Sequence, residues 1–149
     1  NILVTSAGKN VAPAPIENTL VNSPYIEQAV VIGDNRNFIS ALIVPEKEAV
    51  VKELTIRGIS VSGSDAMSDH SDVKALIQEE VDTAMAGFSN YERVKEFSII
   101  PRIFTIEDGE LTPTLKVIRK VVLDHFSDAV EKNYAGSPKE VAEPEPLAV

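Results

Sequence analysis

Lys116 lies in the run 110–119, ELTPTLKVIR, where residue type and setting point most clearly to chemistry. Pro113 fixes its own φ and disfavours helix at Thr112 before it. Leu115, Val117 and Ile118 can bury, so the lysine is expected on a stiff projection just ahead of a helix. No base or nucleophile accompanies it, and covalent catalysis is poorly supported. An isolated ammonium acts electrostatically, where negative charge develops, and loss of such a group costs about a hundredfold to a thousandfold in rate. The ordinary alternative is a solvated surface lysine.

Two further stretches are candidates. In TSAGKN, residues 5–10, a strand feeds a glycine turn and then a helix. That arrangement can bring the backbone at Gly8, Lys9 and Asn10 close to a ligand and turn N–H groups toward an anion. A plain connecting turn is the simpler reading. In GDNRN, residues 33–37, Arg36 could hold a phosphate or carboxylate, against the alternative of a solvated hairpin tip. Lys9, Arg36, Arg102, Lys116, Arg119 and Lys120 would form a basic cluster if the fold gathers them. His70 and His125 have no partner at metal-ligand spacing and read as structural or solvated, with no metal site expected. Neither a GxxxxGK[ST] loop nor GxGxxG occurs.

The elements that must position these residues read as follows. Residues 2–5 suit a strand, and a short helix ends at Pro24. Residues 25–32 and 38–44 are β-branched runs joined by the GDNRN turn, a hairpin. A helix starts at Pro45 or Glu46 and ends near Gly58; residues 59–69 form a Ser/Gly/Asp-rich loop. Ser71 or Asp72 caps a helix whose apolar face is Val73, Leu76, Ile77, Val81, Ala84, Met85 and Phe88. A strand over 96–100 and a turn at 107–109 lead to residues 110–112, one side of a small hairpin. One last helix runs from about Val117 to Tyr134, burying Ile118, Val121, Val122, Phe126, Ala129, Val130 and Tyr134. Together these predict a small α+β domain over 1–136, a mainly antiparallel sheet covered by about four helices. The Pro/Glu-rich residues 137–149 read as a disordered tail.

The chain has 149 residues with no cysteine and a formal net charge of −9, from 23 acidic against 14 basic residues. Such a surface repels a phosphate backbone, which argues against nucleic-acid binding. Thiolate metal sites and disulfides are excluded, and the composition fits a reducing, cytoplasmic setting. Asn1 opens directly into ILVT, as though the domain were cut from something longer.

Three stretches occur in order: ILVTSAGKNVAPAPIE, AVVIGDNRNFISALIVP and LTPTLKVIRK. Together they resemble the C-terminal domain of AMP-forming acyl-CoA synthetases, most of all the long-chain fatty acid–CoA ligases, over residues 1–134. The resemblance implies a mobile lid that works with a large N-terminal adenylation domain, which binds ATP (with Mg2+) and the fatty acid. The acid is first converted to acyl-adenylate and pyrophosphate. The lid then rotates, and the CoA thiol attacks to give acyl-CoA and AMP. By this likeness Lys116 is the adenylation lysine, and Gly8, Lys9 and Asn10 form the loop that enters for the thioester step. Arg36 and Arg119 are candidate phosphate contacts. Leu115 stands where the family usually has glycine, a departure shared by the long-chain group. The excised lid is expected to be inactive alone, and its parent cytoplasmic, with peripheral attachment to the inner membrane face a further candidate. The rival readings are a free-standing module binding a small ligand or a protein, and a ligase acting on an aryl or short-chain acid.

Overall fold

A computed structural model describes residues 1–61 and 67–136. The expected tail, 137–149, lies outside the described residues. The chain opens with a short antiparallel hairpin, β1 (Leu3–Val4) and β2 (Asn10–Val11). The sequence reading had a strand over residues 2–5 and did not identify its partner β2. α1 (Pro13–Val21) follows, with Pro13 at the first turn, where a missing N–H costs nothing. Glu17 is in the middle of this helix, not in its first turn. Its carboxylate instead accepts the Val31 N–H at 2.8 Å.

β3 (Ile26–Ile32) and β4 (Ile39–Pro45) form the expected hairpin, in register from Ile32 opposite Ser40 to Ile26 opposite Pro45, with an irregularity between Ile26 and Gln28. Every residue of β4 is buried. That continuous apolar run is what a central strand covered on both faces requires. α2 (Lys47–Ile56) is capped by the Glu46 carboxylate, which accepts the Ala49 N–H at 2.9 Å. α3 (Ser71–Met85) buries Val73, Leu76, Ile77, Val81 and Met85 as the spacing predicted. Its cap is His70, whose Nδ1 accepts the Asp72 N–H at 3.2 Å, rather than Ser71 or Asp72. The loop expected over 59–69 is anchored at both described ends: Val61 and Met67 are buried and residues 67–69 form a 3-10 turn. Residues 62–66 lie outside the described residues.

β5 (Val94–Ile99) joins β4 in parallel, giving the order β3-β4-β5. The α2–α3 crossover permits this, because a strand that returns after a long connection can lie parallel to the one it left. The class is α+β, with a mixed three-stranded sheet beside the small β1–β2 pair. The single last helix is in fact two, α4 (Arg119–His125) and α5 (Ser127–Tyr134), with Phe126 at φ −117°, ψ 35° between them. The Phe126 ring packs edge-on against Phe104, centroids 5.7 Å apart, and beneath the Arg102 guanidinium.

Two cores lie on opposite faces of the sheet. One joins β1, β2, α1, α2 and α3 to Ala29, Val31, Ala41 and Ile43. The other joins Phe104, Leu111, Val122 and Val130 to Val30, Ile32, Leu42 and Val44. Among the described residues no helix is long and apolar enough to cross a membrane.

Candidate functional site

Residues 110–118 form a tight β-ribbon. Leu111 bridges Val117, the Ile118 N–H donates to the Glu110 carbonyl at 2.7 Å, and the Thr112 N–H donates to the Lys116 carbonyl at 2.8 Å. At the tip, the Thr112 carbonyl accepts the Leu115 N–H at 2.7 Å, and its Oγ1 accepts the Lys116 N–H at 3.1 Å. Pro113 takes the second turn position, which its fixed φ suits. Leu115 closes the turn at φ +67°, the left-handed region. Contrary to expectation it does not bury; it is 65% exposed. Val117 and Ile118 are half-buried, so the projection is held by backbone hydrogen bonds and by only one side of its apolar flank.

The ribbon is clamped from below by Glu110, a carboxylate with no exposed surface. Arg102 meets it with two nitrogens: Nη1 donates to Oε1 at 2.9 Å and Nη2 to Oε2 at 2.6 Å. His125 Nδ1 lies 2.7 Å from Oε2, and the Thr105 N–H donates to Oε1 at 3.1 Å. The Arg102 hydrogen bonds outweigh the opposing push of burial and, with His125 and Thr105, hold the Glu110 carboxyl down at about 2. His125 thus has the structural post the sequence suggested. Arg102 does not join a basic cluster, because this carboxylate holds it.

Lys116 itself is exposed, and among the described residues no ion pair or side-chain hydrogen bond holds its ammonium. Of the other five candidate cations, Lys9, Arg36, Arg102 and Arg119 are engaged. Lys9 Nζ lies 5.1 Å from the centre of the Tyr91 ring. Arg36 forms a two-pronged pair with Glu131 and stacks over Tyr134 at 4.6 Å. Arg119 Nη1 donates to Glu17 at 2.8 Å and to the Val31 carbonyl at 2.7 Å. The fold therefore does not gather the six expected cations. It does bring Arg36 and Arg119 to one pocket, but Asp34, Asp124 and Glu131 line it too. Each arginine is already neutralised, so the pair does not form an open phosphate cradle. Arg119 and Glu17 instead satisfy both backbone groups of Val31 on the outer edge of β3, blunting an edge strand that would otherwise invite pairing.

The glycine loop lies at the β1–β2 turn. Gly8 has φ +84°, and its N–H donates to the Thr5 carbonyl at 2.9 Å. The Thr5 N–H donates to the Lys9 carbonyl at 2.9 Å, and Thr5 Oγ1 accepts the Lys9 N–H at 3.1 Å. A Cβ placed on Gly8 would meet nothing within 4 Å, so within this domain the backbone angle, not crowding, favours glycine. Asn10 begins β2, opposite Val4. The loop is tied to the β3–β4 tip by Ser6 N–H to the Arg36 carbonyl and Asn35 N–H to the Val4 carbonyl, at 2.9 and 2.8 Å.

Sequence reasoning missed Glu110, the central group of the clamp. Nothing in the local pattern distinguishes it from a solvated glutamate, since Arg102 and His125 meet it only in the fold. Sequence reasoning also missed the kinship of the two loops, which the shared spacing Thr-x-x-x-Lys in TSAGK and TPTLK could have signalled.

An α+β domain with two lysine-closed hairpin loops, mounted on opposite sheet faces, matches the family of AMP-binding enzyme C-terminal domains over residues 1–138, and the chain belongs to that family. It is 43% identical over 135 residues to the long-chain-fatty-acid–CoA ligase FadD15 of Mycobacterium tuberculosis, which covers 89% of this chain and 22% of that protein. Among solved structures it is similar to the adenylation domain of a carboxylate reductase from Mycobacterium chelonae, with 25% identity and a TM-score of 0.73 over 91% of this chain and 19% of the other. The adenylation domain of the Segniliparus rugosus carboxylic acid reductase, solved with AMP and a co-purified carboxylic acid, gives 29% identity and a TM-score of 0.71 over 91% and 20%. The chain spans about a fifth of the length of these relatives.

Proposed function

We propose that this chain is the mobile C-terminal lid of a long-chain fatty acid–CoA ligase. It acts with an N-terminal adenylation domain on ATP with Mg2+, a fatty acid and CoA. Lys116 delivers a positive charge to the reacting carboxylate and α-phosphate as the acyl-adenylate forms. Two anions must be brought together in that step, and an ammonium between them offsets their repulsion where it is greatest. In the second step the lid turns, and the loop at Gly8, Lys9 and Asn10 lies along the arm of CoA. The parent works in the cytoplasm, with peripheral attachment to the inner membrane face.

The observation that carries this reading is the contrast among the cations. Lys116 is held out on a clamped ribbon with its ammonium free among the described residues, whereas Arg36, Arg102 and Arg119 are tied to carboxylates. The likeness to FadD15 supports the long-chain acid over an aryl or short-chain one. The test is Lys116→Ala in the longer parent chain, assayed by half-reaction. Acyl-AMP formation should fall about a hundredfold to a thousandfold, while thioester formation from supplied acyl-AMP is largely spared. Equal losses in both would reject the assignment. The 149-residue chain alone should form no acyl-AMP from ATP and palmitate.

A further inference from the structure

The loops 5–9 and 112–116 have one plan, with threonine first, the same three hydrogen bonds, a left-handed fourth residue and lysine last. The fourth residue is Gly8 in one and Leu115 in the other. Glycine adopts a positive φ freely, whereas a residue with a Cβ is pressed against the neighbouring carbonyl oxygen. The glycine loop is thus an internal control: this hairpin does not need leucine, and leucine disfavours it. Nor does packing within the domain offset the strain. The Leu115 side chain is 65% exposed and belongs to neither core. Ile103 and Ile106, 52% and 45% exposed, lie on the segment that supports the ribbon. Between them the Thr105 carbonyl accepts the N–H groups of Glu110 and Leu111. An exposed leucine therefore stands next in the chain to the one ammonium the proposed function uses.

Resting on that proposal, we infer that Leu115 is a positioning residue for adenylation. Its side chain docks on an apolar protein surface of the remaining, larger part of the parent chain and seats Lys116 in the reacting geometry. Relatives about five times the length of this chain contain such a part.

Leu115→Gly, with Lys116→Ala alongside, tests this. In the 149-residue chain, the urea midpoint of Leu115→Gly should equal or exceed that of the wild type, since strain is relieved. In the parent, acyl-AMP formation should fall about tenfold or more, the effect of losing one buried leucine. Thioester formation from supplied acyl-AMP should be unchanged, and the loss equal for acids of different length. A lowered urea midpoint would show that the leucine serves this fold and overturn the inference. So would unchanged adenylation, or a loss that grows with acyl length, which would place the side chain on the substrate. If Lys116→Ala leaves adenylation intact, the proposed function itself fails. If Lys116→Ala slows it and Leu115→Gly does not, only the present inference fails.

Discussion

Glu110 illustrates what a buried carboxylate can do for a loop it does not belong to chemically. Its partners come from two separate stretches, Arg102 and Thr105 from the segment after β5 and His125 from α4, and its own backbone carries the ribbon that ends in Lys116. Removing Arg102 would leave this charge buried with too few partners, so Arg102→Ala should cost about 3 kcal/mol in urea unfolding. The pH dependence follows from the direction of the shift. The Glu110 carboxyl is held at about 2 against an ordinary 4.5. The stability due to its ionised form is therefore complete above about pH 4.5 and is lost as pH falls from there through about 2. Urea midpoints measured across that range should decline, and Arg102→Ala should flatten the decline. Lys116 was legible because proline, apolar neighbours and a following helix mark a projecting loop in one short run. Glu110 was not, because its significance depends on residues 8 and 15 positions away.

The elements were legible where one periodicity governs them. α3 shows its buried face in steps of three and four, and the β3–β4 hairpin shows two β-branched runs about a polar turn. β5 could be found, though its direction could not, since a strand pattern does not say which way its neighbour runs. The last helix misled for a specific reason: the apolar stripe continues through Phe126, but its ring fills the space under Arg102, and the backbone breaks there. Asn133 was missed because a polar residue on an apolar stripe reads as exposed. It is buried; its Nδ2 donates to Ser40 Oγ and the Ala41 carbonyl at 3.2 and 3.1 Å, while its Oδ1 accepts from Ser98 Oγ at 2.7 Å. These bonds orient α5 on the sheet together with Tyr134, whose phenol burial pushes up to about 12. Asn133→Ala should leave those groups unpaired and cost about 2 kcal/mol, read by thermal or urea unfolding.

At the scale of the whole molecule, the lysine loop is rooted in the core on one sheet face and the glycine loop in the core on the other, through Leu111 and Val117 in the first case and Leu3 and Val11 in the second. The two loops are therefore anchored independently, each to its own core. The proposed function uses them in two successive orientations of the lid. The composition of the chain does not reveal this separate anchoring, because it depends on which face each hairpin joins.

The central claim is that the two loops serve different steps, and one comparison in the parent chain tests it: single-turnover rates of both half-reactions for Lys116→Ala and Gly8→Leu. The Gly8 variant should fold, since Leu115 already occupies the same position of the same loop plan. The account predicts that Lys116→Ala lowers the ratio of adenylation rate to thioester rate by about a hundredfold or more, and that Gly8→Leu raises it. Both variants shifting the ratio in the same direction would contradict the account.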